Sequence, residues 1–189
     1  MKRLIALLLT VAMLVTLAVL PAAAESKGTI KLGGLAPLTG NYAEYGKGFQ
    51  IAWQMAIDEI NAAGGAAGYQ LAIDVKDSQG DPVVSSTMAT SFAEDDEIMA
   101  IVGDFSSGAC KANAPIVDRY GLVQLSPTAS APDYAGMSPF CFSIMGRQDK
   151  EAPFLATYVL KKYLGVTNVA VIRVDSDWGM AAFNNFKAQ

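Results

Sequence analysis

Short apolar runs alternate with helical stripes along most of this chain. Thr29–Ala36 predicts a first strand, followed by a polar loop from Pro37 to Tyr45. Phe49, Ala52, Trp53, Ala56, Ile57 and Ile60 recur at three- and one-residue steps, the spacing of one buried helix face, which places Trp53 in the core. Gly64 and Gly65 stop that helix. A second strand is predicted over Tyr69–Val75 and a polar turn over Asp77–Asp81. Asp81-Pro82 then reads as an N-cap followed by proline at the first helical position, opening a helix that runs to about Asp95. Ile98–Val102, Ala109–Tyr120 and Gly121–Leu125 read as strand, helix and strand. A loop over Ala131–Pro139 precedes a short extended segment at Phe140–Ile144. The pattern restarts with a helix from Asp149 to Tyr163, a strand over Asn168–Val174 and a final helix from Met180 to Gln189 that carries no stop signal. Strands and helices alternating at this spacing predict an α/β fold with a parallel sheet covered on both faces.

The N-terminus breaks the pattern. Lys2 and Arg3 precede an apolar run from Leu4 to Leu20, and Ala22–Ala24 offers a small-residue cleavage site, so residues 1–24 read as an export signal peptide. An uncleaved anchor is the alternative, because the run approaches the roughly 20 residues that span a bilayer. No cysteine follows the run, which disfavours a lipoprotein anchor. The remaining chain of about 165 residues is long enough for a substantial core. The full chain's formal charge of −4 with no basic block argues against nucleic acid as a partner. The absence of histidine removes Ser-His and Cys-His catalytic pairs and every imidazole metal site. Cys110 and Cys141 could form a disulfide in an exported protein or lie buried as small apolar residues; both readings stand. Glu94–Glu97 reads as a solvated helix end rather than a calcium loop.

Candidate chemistry sits at strand ends. Gly103-Asp-Phe-Ser-Ser-Gly108 follows the third predicted strand and Ser126-Pro-Thr-Ala-Ser130 the fourth. Ligands of open α/β sheets bind outside the carboxyl ends of strands, so hydroxyls on two neighbouring turns predict one small polar ligand. A helix beginning near Ser107 would present free N–H groups and a positive dipole end to a carboxylate. At roughly 1.5–3 kcal/mol per charge-assisted hydrogen bond, two or three such bonds with some apolar contact reach the roughly 8 kcal/mol of a micromolar complex. Taken singly, Ser107 is an ordinary N-cap and Ser126-Pro127 an ordinary turn; their adjacency tips the balance. The loop Leu38–Gly46 adds the flat faces of Tyr42 and Tyr45. It lacks the spacing and the Ser or Thr of a phosphate loop, and Gly46-Lys-Gly48 lacks the third glycine of a dinucleotide loop.

Five motifs in order give a more specific signal: Pro37-Leu-Thr-Gly40 with Tyr45-Gly46; Asp58-Glu-Ile-Asn-Ala-Ala-Gly-Gly65; Asp77 with Asp81-Pro82; Gly103 with Ser106-Ser107; and Leu125-Ser-Pro-Thr-Ala-Ser130. Over about Ile30 to Gly179 the chain resembles the branched-chain amino-acid type of periplasmic binding protein. The resemblance implies a type I periplasmic-binding fold, in which two α/β lobes joined by a multi-segment hinge close on a ligand for an ABC importer. It implies that Ser107 and Ser130 hold the amino-acid carboxylate and that a backbone group at Thr128 joins them. Phe105 and Ser106 flank the site, Tyr45 forms an aromatic wall, and Trp178 covers the ligand on closure. A cysteine pair found in some relatives is replaced here by Gly80 and Ser106.

The resulting expectation is an exported, extracytoplasmic protein at the periplasmic or outer face of a bacterial envelope. It would bind a branched-chain or related amino acid by hinge closure, need no cofactor, act as a monomer at full length and deliver its ligand to the membrane permease of an ABC transporter. Residues 25–145 form a first lobe in this reading and 146–189 the start of a second, as in an N-terminal piece of a longer chain. A receptor's sensory domain with the same fold, or a site for a related amide or urea, are the alternatives. An enzyme using Ser107 or Ser130 as nucleophile lacks a recognisable general base.

Overall fold

A computed structural model describes residues 26–189; the expected signal peptide lies outside them. Five strands form one wholly parallel sheet: β1 (Thr29–Ala36), β2 (Gln70–Asp77), β3 (Ile98–Val102), β4 (Val123–Ser126) and β5 (Cys141–Ser143), in the order β2-β1-β3-β4-β5. Helices α1 (Ala43–Ala62), α2 (Pro82–Ala93) and α3 (Ser107–Tyr120) connect the first four. The chain enters at β1, moves to one side for β2, then crosses back to β3. Right-handed crossovers in opposite directions put α1 on one face of the sheet and α2 and α3 on the other.

Two adjacent glycines on the central strand record this arrangement, because neighbouring residues of a strand face opposite sides. A Cβ on Gly33 would lie 2.8 Å from the Phe92 ring of α2, and one on Gly34 would lie 2.9 Å from Trp53 of α1. Both helices therefore approach the sheet more closely than a side chain on β1 would permit. The main core lies between the sheet and α2 and α3, where Leu35, Phe92, Ile101, Cys110, Val117, Tyr134 and Cys141 are fully or almost fully buried. Cys110 and Cys141 are both free thiols in this core. Burial pushes the Cys110 thiol up to about 12, and its S–H donates to the Asp104 carbonyl at 3.3 Å.

The α1 face is covered only in part. Trp53 packs on β1 as expected, and Ile57 is buried, but Ala52, Ala56 and Ile60 of the same stripe are exposed. Asp81 caps α2 as its sequence predicts, accepting from the N–H groups of Val83 at 2.8 Å and Val84 at 3.0 Å, with Pro82 at the first helical position.

Beyond β5, α4 (Gln148–Phe154) continues as wider π-helical turns over Leu155–Tyr163 and packs against α5 (Asp177–Lys187). The strand predicted over Asn168–Val174 does not form. A parallel strand exists only through hydrogen bonds to neighbours, and this segment has no strand beside it among the described residues. Ile172, apolar by pattern, is instead 99% exposed. Among the described residues no helix is long and apolar enough to cross a membrane.

Candidate functional site

The strand order reverses between β1 and β3, so the loops leaving their carboxyl ends diverge and open a crevice. The β3–α3 turn borders it. Gly103 starts that turn at φ +112°, where a Cβ would meet the Leu35 carbonyl oxygen at 2.0 Å. Ser106 is the N-cap of α3, its Oγ accepting from the Ala109 N–H at 3.1 Å. The helix thus begins two residues before the expected Ala109 and makes Ser107 its first residue. Helix-end geometry then leaves the Ser107 and Gly108 N–H groups without partners inside the helix, beside the positive end of its dipole.

The second turn is tied to the first by its own hydroxyls. Ser126 Oγ donates to the Asp104 carbonyl at 2.9 Å and accepts from the Ala129 N–H at 2.9 Å, while Thr128 Oγ1 donates to the Phe105 carbonyl at 2.6 Å. Both side chains therefore hold the turns together instead of facing a common point, which corrects the expectation that the hydroxyls of the two neighbouring turns all serve one ligand. The Thr128 N–H donates to Ser126 Oγ at 3.3 Å. What remains convergent is the pair Ser107 and Ser130, which are 2% and 4% exposed. Ser107 Oγ accepts from the N–H of Ala131, the neighbour of Ser130, at 3.2 Å.

Trp178, in the first turn of α5, donates its indole N–H to Ser130 Oγ at 3.1 Å. On the opposite side Phe105 anchors an aromatic group, stacked on Tyr45 with centroids 4.6 Å apart and tilted against Tyr42 at 5.0 Å. Tyr45 and Trp178 are each about half exposed, at 57% and 47%. Of the seven residues predicted from sequence, Trp178 bonds Ser130 directly, Ser107 bonds the backbone of Ala131 next to Ser130, Tyr45 and Phe105 stack on each other, and Ser106 and Thr128 serve as cap and tie.

Three further residues shape the crevice and were not singled out for these roles in the sequence. Asp77 Oδ1 accepts from the N–H groups of Leu38 at 2.8 Å, Thr39 at 3.2 Å and Gln79 at 2.8 Å, and Oδ2 accepts from the Thr39 hydroxyl. Burial works to raise its pKa, but these hydrogen bonds together hold it below the usual carboxylate value. Asp104 is fully buried; Oδ1 accepts from the Phe105 N–H and Oδ2 has no partner. Burial raises its pKa against the pull of the nearby Ser78 and Ser85 hydroxyls and the Phe105 N–H. Lys111, one helical turn beyond Ser107, lies 2.7 Å from Asp133 Oδ2 and 3.1 Å from Asp177 Oδ2. The hydrogen bond that Lys111 donates to Asp133, opposed by partial burial and aided by Asp177, raises its pKa above the usual lysine value. Lys111 falls in the first turn of the predicted helix Ala109–Tyr120, but nothing local marks its two acidic partners.

A switch-point crevice with a hydroxyl-lined helix start and aromatic walls has the architecture of a small-solute binding protein. The periplasmic binding protein family model matches residues 29–189, and the chain belongs to that family. It is 32% identical over 182 residues to the Leu/Ile/Val-binding protein BraC3 of Rhizobium johnstonii, covering 95% of this chain and 48% of that protein. Against the leucine-, isoleucine-, valine-, threonine- and alanine-binding protein of Pseudomonas aeruginosa it is 28% identical, covering 80% of this chain and 40% of the other. Among solved structures, the branched-chain amino acid transporter substrate-binding protein LivJ of Streptococcus pneumoniae in complex with isoleucine matches with a TM-score of 0.78 at 27% identity. That match covers 85% of this chain and 46% of LivJ. The fold is accordingly the type I periplasmic-binding fold, and the chain spans about half the length of the curated relatives it matches.

Proposed function

We propose that this chain carries the carboxylate-holding half of an amino-acid site in an exported solute-binding protein of an ABC importer. Residues 25–145 form the first lobe and 146–189 begin the second. The observation that carries this reading is that the nearly buried Ser107, first residue of α3, bonds the backbone of Ala131 and so ties the start of the helix to the turn that carries the nearly buried Ser130. The Ser107 and Gly108 N–H groups and the Ser130 hydroxyl supply donors suited to a carboxylate, and the helix dipole favours its charge. Tyr45 and Phe105 offer an apolar wall to the ligand's side chain, and Trp178 covers the assembly from α5. Hinge closure selects the liganded arrangement because only then do both lobes contact the ligand. The printed names of the relatives, Leu/Ile/Val-binding among them, support a branched-chain or related amino acid as ligand.

Calorimetry on the complete gene product with a panel of amino acids, amides and urea tests this reading. One-to-one binding of L-leucine, L-isoleucine or L-valine is expected. No heat from any member of the panel would sink it.

A further inference from the structure

Lys111 links parts of the molecule that the sheet does not join. It projects from α3 and lies 2.7 Å from Asp133, in the loop that follows the Ser126–Ser130 turn. It also lies 3.1 Å from Asp177, the first residue of α5, which is the residue before Trp178. Within this same short stretch of α5, the Trp178 indole reaches Ser130 Oγ at 3.1 Å. α5 lies close against the start of α3: a Cβ on Gly108 would stand 4.0 Å from Asp177 Cβ, an ordinary van der Waals contact. The Lys111 side chain is 23% exposed, and those of Asp133 and Asp177 are 60% and 54% exposed. One ammonium with three donors can serve both carboxylates at once.

We propose that Lys111 is a positioning residue for the amino-acid site: by joining Asp133 to Asp177 it latches the start of α5 onto α3 and so keeps Trp178 over Ser130. Ser130 Oγ accepts the indole N–H on a lone pair and keeps its own O–H to donate to a ligand carboxylate, so both contacts can stand together. The Lys111–Asp177 pair and the indole hydrogen bond then hold the aromatic cover in place from two points. The latch contacts no ligand atom. It acts by favouring the closed arrangement, and such a bias shows in affinity through the fraction of molecules competent to hold ligand.

The affinity consequence rests on the amino-acid reading; the position of Trp178 does not, and the test keeps the two apart. The chain has two tryptophans, so labelling with 5-fluorotryptophan gives two ¹⁹F lines, assigned by Trp178→Phe. Lys111→Met should move the Trp178 line toward its position in unfolded protein and raise its quenching by acrylamide, leaving the Trp53 line in place. Lys111→Arg should keep the wild-type line. Asp177→Asn, at the exposed end of the pair, should reproduce the shift, and its combination with Lys111→Met should add little, as expected for two halves of one contact. An unmoved Trp178 line in both Lys111→Met and Asp177→Asn overturns the proposal. For ligand, Lys111→Met should weaken L-leucine binding about 3- to 5-fold, the scale of a partly exposed ion pair, mainly through faster release. An unchanged Kd in a protein that binds L-leucine also overturns it. If the wild type takes up no L-leucine, the amino-acid reading fails while the two tryptophan lines still decide the latch.

Discussion

Asp77 and Asp104 stand near the same crevice and respond to acid with opposite signs. The Asp77 carboxylate is stabilised by hydrogen bonds, so its contribution to stability is present above the unfolded-state pKa and is lost as pH falls through its lower folded value. Asp104 has a raised folded pKa; its contribution is intact below the unfolded value and is lost as pH rises through the folded one. Asp77→Asn should therefore cost more stability at pH 7 than at pH 3. Asp104→Asn should compare better with wild type at pH 7 than at pH 3. Urea midpoints at the two pH values check both, and like-signed pH effects would contradict the assigned environments. The serine pair gives a third residue-scale expectation: Ser107→Ala with Ser130→Ala should raise the Kd for L-leucine about 10-fold or more, since it removes the Ser130 hydroxyl, at roughly 1.5–3 kcal/mol for a charge-assisted bond, and loosens the Ser107–Ala131 tie while keeping the helix N–H groups. Unchanged affinity by calorimetry would remove the carboxylate from these turns. The serines were legible in the sequence because they sit at strand ends in consecutive units. Asp104 was not, since an aspartate between glycine and phenylalanine reads as a solvated turn until α2 and α3 close over it.

At the scale of elements, caps and strand bounds were the most legible features. Ile98–Val102 and Thr29–Ala36 match their predictions because each is a short apolar run between turn signals. Asp81-Pro82 announced α2 through local chemistry alone, and Asp81→Ala should cost about 1 kcal/mol in thermal or urea unfolding by removing an acceptor for two helix N–H groups. The stretch 168–174 was misread for the complementary reason: alternation specifies a strand's faces and leaves open whether a neighbour exists to bond its edges. The start of α1 lies earlier than the apolar stripe suggested, at Ala43 instead of near Phe49, because the loop packs back on itself. Gly46 makes that possible. A Cβ there would lie 2.0 Å from the Pro37 carbonyl oxygen, so Gly46→Ala should destabilise by about 3 kcal/mol and displace Tyr45 from Phe105. Wild-type stability in that variant would mean the loop is looser than described.

For the molecule as a whole, one half of the structure is well covered and the other is not. The core under α2 and α3 is close-packed, whereas Leu155, Tyr158, Tyr163, Leu164, Val169 and Ile172 are exposed. A protein of this length should therefore bind a hydrophobic dye and self-associate in sedimentation, and a dye-negative monomer would contradict that expectation. The same division bears on the site. The end proposed to hold the carboxylate lies on the packed half, so it should sense ligand even where closure is incomplete. Amide-resolved NMR of the ¹⁵N-labelled chain titrated with L-leucine tests this most directly. The account predicts saturable shifts centred on Ser107, Gly108, Ser130 and Ala131, abolished by Ser107→Ala with Ser130→Ala; shifts confined to other parts of the chain, or none at millimolar L-leucine, would contradict it.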